Sequence, residues 1–232
     1  MRLKGILFDA GMTLIRPHPS VEAIYARVAA ELGVAVESAR LGELYRWSFG
    51  CYRDELVLDP SLPCSTSAAG DKAMWARITS RILLELGPAG RELLARGWFE
   101  ETYRRFHSGS AWMPYPETAE VLERLKARGL RLAVVSNFGP YLSQVLADLD
   151  LGSHFDSLVV SAEVGFRKPD RAIFEAALKR LGLGPDEVLH VGDSPGEDIA
   201  GAEAAGIKSL LIDRERPDPL GLRALLPLVD GA

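Results

Sequence analysis

The length, composition and charge of the chain exclude several classes of protein. At 232 residues it is long enough for one large domain or two small ones, and 47% hydrophobic with 25% charged residues is typical of a soluble globular protein. A net charge of −5 argues against a nucleic-acid partner, because proteins that bind phosphate backbones normally present a basic face. Cys51 and Cys64 lie in no metal-binding spacing, which predicts reduced thiols. No signal-like segment is found at the start and no apolar run approaches the ~20 residues that cross a bilayer, so we expect a cytoplasmic protein without membrane association.

The first predicted element is a short buried strand that ends in an acid. Ile6, Leu7 and Phe8 form an apolar run that stops at Asp9. Ligands of open α/β sheets bind outside the carboxyl ends of the strands, so Asp9 is a candidate site residue. An aspartate that only opens a turn is the alternative.

Residues 20 to about 107 show helical periodicity and almost no strand-like pattern. Apolar residues at helical spacing predict four helices, and the fourth contains Leu93, Trp98 and Phe106. An all-α segment of about 90 residues is near the size at which a helical bundle forms its own core. Trp75, Trp98 and Phe106 have the spacing of core residues, and a role in lining a pocket is the alternative.

Beyond a proline-rich linker at residues 112–116, strand-like and helical patterns alternate. Strands are predicted at residues 130–135, 158–160, 188–191 and 207–212, with helices between them and a short helix around residues 222–226. Repeated β-α-β units with apolar strands predict an α/β fold with a parallel, doubly wound sheet. The first strand belongs to this sheet, which makes the all-α segment an insertion.

Four strand ends, or the loops after them, carry residues that one site would use. They are Asp9, Ser136 with Asn137, Lys168, and Asp193 with Asp198. Carboxylates brought together repel one another unless a cation lies between them, and oxygen ligands that leave room for phosphate favour Mg²⁺. A lysine supplies a positive charge for an anion, and a serine hydroxyl and backbone N–H groups supply neutral donors for phosphate oxygens. An ionised aspartate between a metal and a lysine can act as a nucleophile.

Four motifs built on these residues resemble those of the haloacid dehalogenase-like (HAD) hydrolase superfamily. They are Phe8-Asp9-Ala10-Gly11-Met12-Thr13-Leu14, Ser136-Asn137, Lys168-Pro169 and Gly192-Asp193-Ser194-Pro195-Gly196-Glu197-Asp198. The ordered set covers essentially the whole chain, and the Ser-Asn-Phe form of the second motif and the length look most like the branch that includes the HAD-domain-containing-3 proteins. The resemblance implies a Rossmann-like HAD core domain of residues 1–15 and 111–232 and a helical cap domain of residues 16–110.

The same resemblance implies catalytic and metal-binding roles. Asp9 would be the nucleophile that takes the phosphoryl group as an aspartyl-phosphate, and Lys168 would bridge the nucleophile and the phosphate. The metal, Mg²⁺, would be held by Asp9, the backbone carbonyl of Gly11 and Asp193, with Asp198 as a further ligand or close behind the others.

Three more residues are implied to hold or brace the phosphate site. Ser136 and the Asn137 amide would bind phosphate oxygens, and Thr13 would brace the loop after the first strand. The implied substrate is a small phosphorylated metabolite. Exposed faces of the helical segment would allow a homodimer.

The match to the family departs at Gly11. Phosphatases of this family carry a second aspartate two residues after the nucleophile, which protonates the leaving group and then activates water. A glycine there leaves the backbone metal ligand intact, but a positioned acid–base group typically contributes ~10²–10⁴-fold to the rate. Glu197 is a candidate replacement, although an orientation toward the surroundings of the metal or toward solvent is favoured. His18 could reach the site from the hinge, and His190, inside a predicted strand, is expected in the core.

Three functions follow as alternatives. The first is a Mg²⁺-dependent phosphohydrolase with weakened acid–base catalysis, which Lys168, Asp193 and Asp198 support. The second is a nearly inactive HAD fold that serves as a binding module, which Gly11 favours. The third is a 2-haloacid dehalogenase, an enzyme that attacks carbon without a metal; the Ser136-Asn137 pair favours it and the acids of the fourth motif count against it.

Overall fold

The apolar runs of the sequence form a parallel sheet in the computed structural model, which describes residues 3–214 and 221–230. The strands are β1 (Gly5–Phe8), β2 (Ile15–Pro17), β3 (Trp112–Pro114), β4 (Arg131–Ser136), β5 (Ser157–Val160), β6 (Val188–Gly192) and β7 (Lys208–Leu211). Five of them form one sheet in the order β5-β4-β1-β6-β7, with parallel pairing throughout. Residues 1, 2, 215–220, 231 and 232 of the expected core domain lie outside the described residues.

Helices surround the sheet and also form a separate group between β2 and β3. They are α1 (Val21–Glu31), α2 (Ser38–Leu58), α3 (Ala68–Glu85), α4 (Pro88–Ala95), α5 (Trp98–Arg105), α6 (Thr118–Ala127), α7 (Leu142–Asp148), α8 (Ser161–Val164), α9 (Arg171–Leu181), α10 (Gly201–Ala204) and α11 (Leu225–Asp230). We call α1 to α5 the helical insert. None of the helices among the described residues combines the length and the apolar character that a membrane span needs.

The three central strands, β4, β1 and β6, are buried on both faces, which explains why their sequences are mostly apolar. Ile6 and Phe8 of β1 face a cluster that includes side chains of α6 and α7, whereas Leu7 faces a cluster that includes side chains of α9. Successive residues of a strand point to opposite faces, so one short strand contributes to two cores. The doubly wound α/β fold expected from the sequence is confirmed.

The helical insert has a core of its own, centred on Trp98. This side chain is fully buried and its indole N–H donates to the backbone oxygen of Tyr25 over 3.1 Å. The fourth helix expected from the sequence is two helices, because Gly97 between α4 and α5 adopts a φ of +75° that ends one helix and redirects the chain.

The segment expected to be a proline-rich linker is a strand. Trp112–Pro114 pairs antiparallel with Ile15–Pro17, so a two-stranded ribbon carries the chain into and out of the helical insert. A three-residue strand with a proline at its end has no alternating pattern to detect, and its partner lies about a hundred residues away in sequence. The linker prediction is therefore wrong at residues 112–114.

Candidate active site

Three neighbouring strands end at the same edge of the sheet and place the candidate residues together. Phe8, the last residue of β1, pairs in register with Val134 of β4 and Val191 of β6. Asp9 follows Phe8 directly, so it emerges between the ends of the two flanking strands, where β4 ends at Ser136 and β6 is followed by Asp193. The carboxyl ends of parallel strands thus form the crevice expected of this fold class.

A buried lysine links two of the acids. Lys168 lies in the loop between α8 and α9, and its Nζ atom is 2.6 Å from Oδ1 of Asp9 and 2.5 Å from Oδ1 of Asp198. The hydroxyl of Ser136 donates to the same Asp9 oxygen over 2.9 Å. Asp9 is 6% exposed and Lys168 is 2% exposed. Water is nearly excluded from these contacts, so the charges interact strongly.

The acids and the lysine of this group shift one another's pKa values. Burial raises the pKa of Asp9 to about 7, and the nearby carboxylates of Asp198 and Asp193 add to this while Lys168 opposes it. Burial alone would lower the pKa of Lys168, but Asp9 and Asp198 together outweigh burial and hold it above its usual value. Lys168 is therefore a permanent cation beside an acid whose charge needs further compensation.

Asp198 is positioned by an unusual turn after β6. The segment Pro195–Ala200 is a π-helix, and π-helical turns occur often at functional sites. A Cβ atom on Gly192 would lie 2.1 Å from Cγ of Asp198, so glycine is needed for this close approach. The backbone N–H of Ser194 donates to Oδ2 of Asp198 over 3.0 Å. Both oxygens of this carboxylate thus have protein partners.

His190 contributes to this arrangement in a way that the sequence analysis missed. The side chain is fully buried in β6, as expected of a core residue, but its Nε2 atom lies 2.9 Å from Oδ1 of Asp198. Burial lowers the pKa of the imidazole, whereas Asp198 opposes this. Burial raises the pKa of Asp198, but Lys168 and His190 outweigh it and hold that pKa below its usual range. A polar residue within an apolar strand was the available signal, because buried polar groups need partners.

The second and third motifs are joined through the side chain of Asn137. Its Oδ1 atom accepts from the backbone N–H of Lys168 over 2.7 Å, and its Nδ2 atom donates to the Lys168 carbonyl over 3.0 Å. The same Nδ2 atom donates to Glu197 over 2.9 Å, and Glu197 also pairs with Arg167. The Asn137 side chain therefore orients the backbone of Lys168. Glu197 is held beside Asn137, whereas His18, which follows β2 directly, is exposed.

The loop after β1 is braced from two sides. The hydroxyl of Thr13, which is buried, donates to Oδ1 of Asp193 over 3.3 Å, and the Thr13 carbonyl accepts from Arg214. Met12 in this loop has a φ of +59°. Burial raises the pKa of Asp193, with Asp198 adding to the effect.

The acids form a group that could hold a metal ion. Asp9, Asp193 and Asp198 each offer a carboxylate oxygen within 4.8 Å of the others. One lysine cannot balance three carboxylates, and hard oxygen donors suit a hard divalent cation. The residues present therefore fit a metal of the Mg²⁺ type on the chemistry of the donor set.

A cavity of about 110 Å³ lies between the helical insert and the loop after β4. Asn137 and Phe138 of that loop line it, together with residues of the insert. Trp75 and Phe106 also line the cavity, whereas Trp98 lies in the core of the insert. The expectation that all three aromatic residues belong to the core is therefore correct for Trp98 and incomplete for the other two.

Comparison with known proteins agrees with this geometry. A sequence model of the haloacid dehalogenase-like hydrolase family matches residues 3–206. Haloacid dehalogenase-like hydrolase domain-containing protein 3 from Bos taurus is 30% identical over 220 residues, which cover 95% of this chain and 85% of that protein. A phosphoserine phosphatase from Thermus thermophilus is 31% identical over 229 residues and covers 91% and 89% of the two chains.

The fold is also that of solved structures. The crystal structure of a dehalogenase superimposes with a TM-score of 0.67 at 25% identity and covers 97% of this chain and 96% of its own. The same fold thus carries out both phosphatase and dehalogenase chemistry, and the side chains at the sheet edge have to distinguish them. The chain belongs to the haloacid dehalogenase-like hydrolase family.

Proposed function

We propose that this protein is a Mg²⁺-dependent phosphohydrolase that acts on a small phosphorylated molecule through an aspartyl-phosphate at Asp9. The observation that carries the proposal is the buried Lys168, which contacts Asp9 and Asp198 next to a third acid, Asp193. A carboxylate nucleophile with a fixed cation on one side and a metal site on the other is the arrangement that phosphoryl transfer needs. The phosphatase activity of the Thermus relative supports the same reaction class.

The proposal divides the chain into two domains. Residues 1–15 and 111–232 would form the α/β core that carries the reacting groups, and residues 16–110 would form a cap over them. The ribbon of β2 and β3 lies at both boundaries and would act as the hinge. The aromatic cavity between the insert and the loop after β4 would then receive the part of the substrate that leaves.

The proposed metal site uses Asp9, the Gly11 carbonyl, Asp193 and Asp198. Both oxygens of Asp198 already have partners, so its part is to anchor Lys168 and complete the negative cluster. When bound, Mg²⁺ would neutralise charge on the carboxylates and on the phosphate oxygens.

The chain's own groups then account for the two steps. A carboxylate oxygen of Asp9 forms a bond to phosphorus while the bond from phosphorus to the leaving oxygen breaks. Lys168 and the Ser136 hydroxyl already hold the Asp9 carboxylate. Lys168 would donate a further N–H to a phosphate oxygen, and the Ser136 hydroxyl would turn its single O–H from Asp9 to the phosphate. Both side-chain N–H groups of Asn137 already donate to Lys168 and Glu197, so the Asn137 donor to phosphate would be its backbone N–H. Water then attacks phosphorus and releases phosphate and free Asp9. Gly11 supplies no proton to the leaving group and accepts none from the water, so at equal binding an aryl phosphate should react faster than an alkyl phosphate.

Two alternatives are less well supported. A 2-haloacid dehalogenase would need no metal, and three clustered carboxylates with one lysine are then difficult to stabilise. A binding module without catalysis is favoured by Gly11 alone. An abandoned site has no physical reason to keep carboxylates that repel one another.

Hydrolysis of p-nitrophenyl phosphate tests the proposal. We expect turnover that requires Mg²⁺, disappears with a chelator and is lost in Asp9→Asn, which removes the nucleophile with almost no change in volume. Asp54→Asn, at an exposed acid on α2, is the matched control and should keep full activity. Turnover that survives in a folded Asp9→Asn protein would rule out Asp9 as nucleophile.

A further inference from the structure

The cavity between the helical insert and the loop after β4 is lined by aromatic side chains. Tyr45, Trp75 and Tyr103 line it from the helical insert, Trp112 from β3, and Phe138 and Tyr141 from the segment after β4. It lies close to the proposed reaction site, because Asn137 lines it and Phe138 is the nearest neighbour of a Cβ atom placed on Gly11, at 3.9 Å. Whatever extends from a phosphate at Asp9 into the insert would meet these rings.

One charged residue lies among them. Asp71 of α3 lines the cavity and is 1% exposed, and no lysine, arginine or histidine is found among the described lining residues. The hydroxyl of Tyr103 donates to Oδ2 of Asp71 over 2.7 Å. The adjacent Lys72 pairs with Glu100 instead, at 2.8 Å. In the part of the chain that the structure describes, no cation lies within ion-pair distance of this carboxylate.

An isolated buried carboxylate is unfavourable. Burial raises the pKa of Asp71 to about 6, although hydrogen bonds from Tyr103 and Trp75 oppose this. The carboxylate of Asp71 thus lies inside an aromatic wall with hydrogen-bond donors but no cation of the described residues beside it. Both features attract the same ligand, because carboxylates pair with cations and the faces of aromatic rings attract ammonium groups.

We propose that this cavity binds an organic cation, an ammonium or methylated ammonium group, carried by the alcohol portion of the substrate. The assignment rests on the proposed function in placing the phosphate at Asp9, but the cation site itself does not. The absence of a basic residue from the described lining disfavours an α-amino acid phosphate, whose carboxylate would need its own partner. The predicted substrate class is a phosphomonoester of an amino alcohol.

The short distance between the cation site and the proposed phosphate site favours a short amino alcohol. A Cβ atom on Gly139 would lie 2.7 Å from Oδ2 of Asp71, so the carboxylate rests directly against the backbone of the loop after β4. Gly139 is two residues from Asn137, which limits their Cα separation to about 7 Å. The cation site and the proposed phosphate site are therefore within reach of one small molecule.

Binding of choline, compared with its uncharged isostere 3,3-dimethylbutan-1-ol, tests the cation site without catalysis. Trp75 and Trp112 line the cavity, so their fluorescence reports occupancy. We expect choline to bind about 10- to 30-fold more tightly than the isostere, as a desolvated cation on aromatic faces should. Equal affinities in the wild-type protein would overturn the inference, whatever any variant does.

Variants then assign the effect to Asp71. Asp71→Asn keeps the shape and should abolish the preference for choline, whereas Tyr103→Phe keeps the charge and should retain it. Asp54→Asn is the control for a change in total charge. A folded Asp71→Asn protein that still prefers choline would refute the role of this carboxylate.

Turnover separates the inference from the proposed function. The comparison is the kcat/KM of phosphocholine against that of 3,3-dimethylbutyl phosphate, with p-nitrophenyl phosphate as reference. A preference of about tenfold or more for phosphocholine that is lost in Asp71→Asn supports both proposals. Hydrolysis of the reference without any such preference overturns the substrate class and leaves the phosphohydrolase intact. Choline binding without hydrolysis of any phosphate ester overturns the phosphohydrolase and leaves the cation site intact.

Discussion

Replacement of Gly11 by aspartate would show whether a missing acid–base group limits turnover. A Cβ atom at this position meets only the Phe138 ring among neighbouring atoms, at 3.9 Å, which is ordinary van der Waals contact. The backbone of Gly11 is not in the left-handed region that favours glycine. A longer side chain can therefore be added without strain at its base.

The expected gain follows from the chemistry of the leaving group. A positioned acid–base group typically contributes ~10²–10⁴-fold, and most to esters whose alkoxide leaves poorly. The neighbouring acids Asp9 and Asp193 would raise the pKa of the new carboxyl group, which helps it to keep a proton at neutral pH. We expect kcat for an alkyl phosphate to rise by about 100-fold or more, and kcat for an aryl phosphate to rise less.

The assay is steady-state hydrolysis of one alkyl and one aryl phosphate at saturating Mg²⁺. Gly11→Asn is the matched control, because it has the same size and cannot exchange a proton. If Gly11→Asp is no faster than Gly11→Asn, while both bind Mg²⁺ and phosphate as the wild type does, the absence of an acid–base group is not what limits turnover.

Three further changes have expected outcomes. Lys168→Met removes the cation between two buried carboxylates and should lower the free energy of unfolding by about 3–5 kcal/mol in urea titrations without Mg²⁺; an unchanged value would show that these acids are neutral. Burial raises the pKa of Asp71 from 3.8 to about 6, so the folded protein keeps a proton that the unfolded chain has lost, and stability should fall as the pH rises through this range. Asp71→Asn should remove that loss of about 3 kcal/mol, measured by unfolding at pH values on either side of the range. In Gly139→Ala the new Cβ atom would lie 2.2 Å from Cε1 of Tyr141 and 2.7 Å from Oδ2 of Asp71, so we expect a destabilisation of about 1–3 kcal/mol and a raised KM. Wild-type values of both would contradict the close packing of Asp71 in the insert against this loop.

The parallel sheet and the polar residues that follow its strands could be predicted, because both are patterns of neighbouring residues in the sequence. Ile6, Leu7 and Phe8 are apolar because the strand is covered on both faces, and the acid that follows marks the edge where ligands bind. Lys168 is different, because it lies in a loop after a predicted strand, and the resemblance to a family was needed to assign it a position between the nucleophile and the phosphate.

What the sequence did not show depends on partners that are distant along the chain. Trp75 and Trp98 have the same helical spacing, yet tertiary packing places one at a cavity and the other in a core. His190 has the pattern of a core residue, and its contact with Asp198 depends on the π-helical turn. Asp71 looks like an ordinary acid in the first turn of a helix, and only the approach of Gly139 shows that it is buried. The periodicity of apolar residues shows which face of a helix or strand a residue occupies. It does not show which residue packs against that face.

The most direct test of the central claim, that Asp9 takes the phosphoryl group, is a rapid-quench experiment with an aryl phosphate. An aryl oxide leaves without a proton donor, whereas attack of water on the aspartyl-phosphate lacks a base at Gly11, so the second step should be slow. The account predicts a burst of aryl alcohol equal to the enzyme concentration, slow turnover afterwards, and hydroxylamine-sensitive phosphate on Asp9 that is absent from Asp9→Asn. Linear product release with no phosphoprotein, and the same rate in Asp9→Asn, would contradict it.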